Sequence, residues 1–123
     1  MRDEIAERFL DFAARIINLV SKLSRTFAGR HIAKQLLACS TSAGANYEEA
    51  CGAESRADFI HKMQVVLKEL RESLFWLRLI SRAKLVATQE VDPLIGEASE
   101  LARIVGKSVV TARRNRPSEK VGS

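Results

Sequence analysis

Between Ala38 and Ala45 the chain reads Ala-Cys-Ser-Thr-Ser-Ala-Gly-Ala, eight consecutive residues without one large side chain. A helix made of such residues has little width, so neighbouring backbones can approach it closely. It therefore belongs in the middle of a packed helical assembly. The wider stretch from Leu36 to Ile80 holds two helical patterns joined by a short turn containing glycine and serine, and the rest of the chain is organised around it.

At 123 residues the chain has the length of one domain, long enough to build a real core. Two prolines, six glycines and few aromatics leave little turn punctuation, which favours a few long helices over many strands. The formal charge of +5 is unevenly placed. Arg113, Arg114, Arg116 and Lys120 against Glu119 put +3 in residues 113–123, leaving +2 for the other 112 residues. Asp3, Glu4, Glu7 and Asp11 interrupt the N-terminus where a secretory leader needs an apolar core. No run approaches the ~20 apolar residues of a membrane span. Cys39 and Cys51 lie on one predicted helix, about 18 Å apart by helical rise, too far to bridge. Both are expected as small buried hydrophobes, in keeping with a reducing cytoplasm.

Periodicity predicts four helices, at about 2–25, 31–51, 56–83 and 90–113, in one unit over residues 1–114, followed by a disordered basic tail over 115–123. In the first helix Ile5, Phe9, Phe12, Ile16, Leu19, Leu23 and Phe27 recur at steps of three and four. Gly29 separates it from the second, whose stripe is Ile32, Leu36, Cys39, Ala43, Asn46 and Ala50. Gly52 reads as a left-handed C-cap and Ser55 as the next N-cap, with Asp58 three positions on. The third helix carries two apolar arcs, one through Ile60, Met63, Leu67, Leu70, Leu74 and Leu77 together with Phe59 and Val66, the other through Val65, Trp76, Leu79 and Ile80. One arc is expected to serve the core and the other a neighbouring subunit. A strip bearing Gln64, Lys68, Arg71, Arg78 and Arg82 lies between them. The fourth helix is expected to be capped by Thr88 or Asp92. It then repeats through Val91, Leu94, Ala98, Leu101, Val105, Ser108 and Ala112.

Ser42, Gly44-Ala45-Asn46-Tyr47, Glu49-Ala50, Ser55, Asp58-Phe59, Lys62, Glu69, Glu72 and Trp76-Leu77 together resemble the proteins encoded by intervening sequences of bacterial 23S ribosomal RNA genes. The resemblance spans roughly residues 5–112 and is most specific from GANYEEA to DFIHK. It implies an antiparallel up-down four-helix bundle, all-α, assembling as a ring-shaped homopentamer, with no catalytic residue set and no cofactor. It also makes Gly44, Asn46, Tyr47, Glu49, Asp58, Glu69, Glu72 and Trp76 an architectural signature. A related branch, the accessory variability determinant of diversity-generating retroelements, associates with a reverse transcriptase and with nucleic acid.

A bundle rich in carboxylates invites a di-iron reading, which needs two Glu-x-x-His pairs. Asp58-x-x-His61 is the one acid-x-x-His pair, and His31 has no acid at that spacing, so no metal site is expected. Glu49, Glu69 and Glu72 read as structural, since no nucleophile or histidine base accompanies them. Asn46 is expected to hydrogen-bond inside the core. The basic strip reads as a solvated face or as a phosphate-contacting surface strengthened by repetition around a ring. On the second reading Lys68, Arg71, Arg78, Arg82, Arg113, Arg114 and Arg116 carry the contacts to RNA or DNA. Two function classes follow for a non-enzymatic protein of the cytoplasm with no membrane partner: a nucleic-acid-associated accessory module, or a scaffold that binds another polypeptide.

Overall fold

Residues 3–115 are described by a computed structural model. Four helices account for most of them: α1 (Glu4–Val20), α2 (Phe27–Cys51), α3 (Arg56–Arg82) and α4 (Thr88–Arg114). Polar caps start the first three. Asp3 accepts from the Ile5 amide, Thr26 from Gly29 and Ser55 from Asp58, each satisfying an amide that the first helical turn leaves unpaired. α4 begins after Ala87 with no side-chain cap, two residues before the expected start, and neither Thr88 nor Asp92 caps it. Arg113 and Arg114 in its last turn complement the helix dipole.

The break between α1 and α2 falls earlier than periodicity suggests. α1 ends at Val20, not near Arg25, and α2 begins at Phe27, not His31. The cause is local chemistry. The Ser21 and Ser24 hydroxyls donate to the carbonyls of Asn18 and Ser21, offering the backbone an alternative to the helix. Leu23 stays buried, but Phe27 is 84% exposed and leaves the stripe. Gly29 sits in the first turn of α2, where a Cβ would lie 1.9 Å from the Leu23 carbonyl oxygen, so only glycine lets the loop fold back this tightly. At the other end of α2, Gly52 caps with φ −103°, in an ordinary conformation. The left-handed residue is Lys84 (φ 58°), which closes α3 as the Leu85 amide reaches back to the Ile80 carbonyl. The expected tail lies outside the described residues from Arg116 onward.

Contacts across the bundle establish an antiparallel up-down order. Tyr47 near the end of α2 meets Asp3 at the start of α1, and Lys62 of α3 lies 3.5 Å from Glu49 of α2. Further along the same α2–α3 pair, Ser73 meets Cys39. Arg8 donates twice to Glu97, at 2.9 and 2.8 Å, and Lys22 pairs with Glu90, joining α1 to α4. Each helix packs on two neighbours, with α2–α3 and α3–α4 the most extensive pairings.

Phe9, Phe12, Ile16, Leu36, Met63, Leu70, Leu77, Ile80 and Leu101 fill the centre. Burying each such side chain contributes roughly 1.5–3 kcal/mol. The two apolar arcs of α3 have an intramolecular explanation, since that helix covers both α2 and α4. Its most buried line runs Met63, Val66, Leu70, Ser73, Leu77, Ile80, taking four members from the first expected arc and Ile80 from the second. On α2 the inward position expected for Asn46 belongs to Tyr47. Asn46 is half-buried and donates to the Ser42 carbonyl and hydroxyl, one turn back on its own helix. Cys39 is buried, but Cys51 is exposed, because its place beyond Ala50 turns it out of the bundle. No described helix is long and apolar enough to cross a membrane.

Candidate nucleic-acid interface

Residues 68, 71, 75, 78 and 82 follow one another at steps of three and four, so they share one side of α3. All five are exposed. By helical rise the line from Lys68 to Arg82 is about 21 Å long. The core-facing line of α3 lies on the other side of the helix, so this strip looks outward along its length.

Two hollows form along it. In the first, between α3 and α4, Lys68 and Arg71 meet Arg113 around a groove of about 590 Å³ floored by Leu67, Gly106 and Val109. In the second, Arg71, Arg78 and Arg82 surround Phe75 with Leu74 and Leu79 beside it, in a hollow of about 510 Å³. Arg71 belongs to both, so the two form one continuous basic track. None of these cations has a carboxylate partner among the described residues, although Arg8, Lys22, Lys62 and Arg103 all do. The two half-buried acids in the same part of α3, Glu69 and Glu72, lie on the side toward α2 and line neither hollow. Glu72 accepts from the Trp76 indole at 3.4 Å, and Trp76 lies edge-on to His31 of α2. Glu69 and Glu72 both act on the Cys39 thiol of α2.

Six of the seven cations expected from sequence are therefore described. Five of them share the track, Arg114 is exposed at the end of α4 outside both hollows, and Arg116 lies outside the described residues. Sequence reasoning missed Phe75, which is 58% exposed and sits in the middle of the strip. The spacing alone places it there: it is four residues after Arg71 and three before Arg78.

Gly44, Tyr47, Glu49 and Asp58 of the signature sit where helices meet. Gly44 faces Phe9, where an added Cβ would stand 3.4 Å from the Phe9 Cβ. Tyr47 stacks on Phe9 with ring centres 5.0 Å apart, and burial together with its bond to Asp3 pushes its hydroxyl pKa upward. Glu49 and Asp58 both approach Lys62, at 3.5 and 3.8 Å. Beside Gly44, a second groove of about 440 Å³ opens between α1 and α2. Ala13, Ala14, Gly44 and Ala45 line it, and Leu10 and Ile17 stand at its edge, 65% and 53% exposed. Among the described residues no three His, Cys, Asp or Glu side chains gather as a metal site requires.

Residues 2–107 match the family model described as 23S rRNA-intervening sequence protein. The fold is similar to that of a protein of unknown function from the S23 ribosomal protein family of Bacteroides thetaiotaomicron. The TM-score is 0.78 at 33% identity, covering 85% of this chain and 97% of the other. Neither description names an enzymatic activity. Among curated proteins, none matches the sequence.

Proposed function

The chain belongs to the 23S rRNA-intervening sequence protein family, and from that premise we propose that it is a non-enzymatic, nucleic-acid-associated module of the cytoplasm. One observation carries the reading: Lys68, Arg71, Arg78, Arg82 and Arg113 form one outward track without a carboxylate among them. Basic side chains in folded domains are commonly interspersed with acids, as Arg8, Lys22, Lys62 and Arg103 are here. A track kept clear of acids over about 21 Å suits a polyanion whose charges repeat along its length. In this reading the phosphates lie along α3, while Arg113 fixes them from α4.

The bundle acts as a homo-oligomer, a ring of five copies. The apolar α1–α2 groove supports this, because its small-residue wall can accept side chains from a second copy. Repetition around a ring would multiply a modest single track into an extended positive field. The same groove favours a second reading, a scaffold holding another polypeptide such as a reverse transcriptase.

Fluorescence anisotropy with labelled RNA and DNA, on the full chain and on one ending at Ala112, tests the principal reading. Binding that weakens steeply with salt and survives truncation is the expected result, with Arg113 contributing a minor part. Absence of binding at low salt removes the reading and leaves the polypeptide scaffold. Light scattering on the same samples reads the copy number, and a monomer would remove the ring.

A further inference from the structure

We infer that Phe75 is a base-stacking platform, so that the α3 track takes single-stranded RNA or DNA in preference to a duplex. This rests on the nucleic-acid reading above and adds to it the class of strand. Phe75 is a large apolar ring, 58% exposed, placed where a purely electrostatic surface has no use for it. Arg71 and Arg78 flank it one helical turn to either side, and Arg82 follows one turn beyond Arg78.

The ring is also held in position. Trp76 meets it nearly at right angles, with ring centres 4.9 Å apart and an interplanar angle of 79°. Trp76 is in turn anchored by Glu72 and by the edge of His31. An aromatic side chain buttressed in this way loses little freedom when a flat ligand lands on it.

The chemistry that fits is a planar heterocycle carried on a phosphate chain. In a duplex the bases are stacked on one another and present only their edges, so the exposed ring of Phe75 would meet sugar and phosphate. Unpaired bases offer their faces, and every base has one, so such a platform needs no particular sequence. The arginines on both sides are placed to hold the phosphates that flank the stacked base.

The test uses the full chain with labelled oligouridine, oligothymidine and a duplex of equal length at one low salt concentration. Anisotropy reads affinity, and the emission of Trp76, the only tryptophan, reports a base arriving beside it. The expected result is tighter binding of both single strands than of the duplex, with a change in Trp76 emission. Phe75→Ala should weaken the single strands about tenfold or more and leave the duplex unaffected, and Phe75→Trp should retain binding. If Phe75→Ala binds single strands as wild type does, while Arg71→Gln still weakens binding, the stacking inference fails and the basic track stands. If wild type binds none of the three, both fail. A loss of oligomer mass in Phe75→Ala would make the ring a subunit contact and would also overturn the inference.

Discussion

The Tyr47 hydroxyl donates to the Asp3 carboxylate at 2.6 Å, joining residues 44 positions apart. Asp3 also caps α1 through the Ile5 amide, so one carboxylate starts the first helix and ties it to the end of the second. The bond to Tyr47 is the main cause holding the Asp3 pKa below the ordinary carboxylate value. Burial, followed by the same bond, raises that of Tyr47.

These shifts set a pH dependence. A carboxylate whose pKa is depressed by folding adds stability that is present above its unfolded value near 3.9 and lost as pH falls through the folded value. A phenol whose pKa is raised adds stability that is present below about 10 and lost above it. Tyr47→Phe should therefore lower stability by about 1 kcal/mol between roughly pH 5 and 9. The gap between variant and wild type should narrow below about pH 4 and above about pH 10. Thermal midpoints measured across pH for both proteins check this, and a gap independent of pH would contradict it.

Two glycines predict opposite responses to one substitution. Gly29→Ala drives a Cβ into the Leu23 carbonyl and should cost about 2–3 kcal/mol as the α1–α2 loop is forced away. Gly96 lies in the interior of α4 with nothing within 4 Å of an added Cβ. Gly96→Ala should stabilise the protein by roughly 0.5–1 kcal/mol through helix propensity alone. Urea denaturation of both variants gives the two signs.

Gly44 grades the closeness of α1 and α2. Gly44→Ala meets Phe9 at ordinary van der Waals distance and should be tolerated. Gly44→Leu adds volume that the Phe9 backbone cannot clear, and should cost about 1–3 kcal/mol and disturb the adjoining groove. An unchanged thermal midpoint and oligomer mass for Gly44→Leu would contradict the placement of the small-residue stripe.

The two cysteines should differ in reactivity. Burial raises the Cys39 thiol to about 11, and it bonds with Ser73 at 3.2 Å inside the core. Cys51 is exposed at the end of α2. A thiol reagent should titrate one cysteine per native chain, with the second appearing only on unfolding. Two fast equivalents in the native protein would contradict the burial of Cys39.

Much of the fold was legible because long helices announce their buried faces through spacing. Phe9, Phe12, Ile16, Leu19 and Leu23 recur as the pattern requires, and Ser55 caps α3 through local chemistry alone. The errors came where periodicity continued through a break. Leu23 and Phe27 keep the step of four, yet α1 has already ended at Val20, and of the two only Leu23 goes inside. Two apolar arcs on α3 are also the width that a helix packed on both α2 and α4 needs. The candidate interface was half legible. Spacing along α3 aligns Lys68, Arg71, Arg78 and Arg82, but Arg113 joins them only through the antiparallel packing of α4. Phe75 is not legible as part of the interface, because an aromatic residue within a helix reads first as core.

The salt dependence of binding bears most directly on the basic track. For a single strand, each phosphate contact contributes about 0.7 to the slope of log affinity against log salt. Replacing Arg71 and Arg78 with glutamine should flatten that slope by about 1.4, with affinity converging on wild type at high salt. A slope unchanged by these two substitutions would show that the phosphates lie elsewhere and would contradict the track along α3.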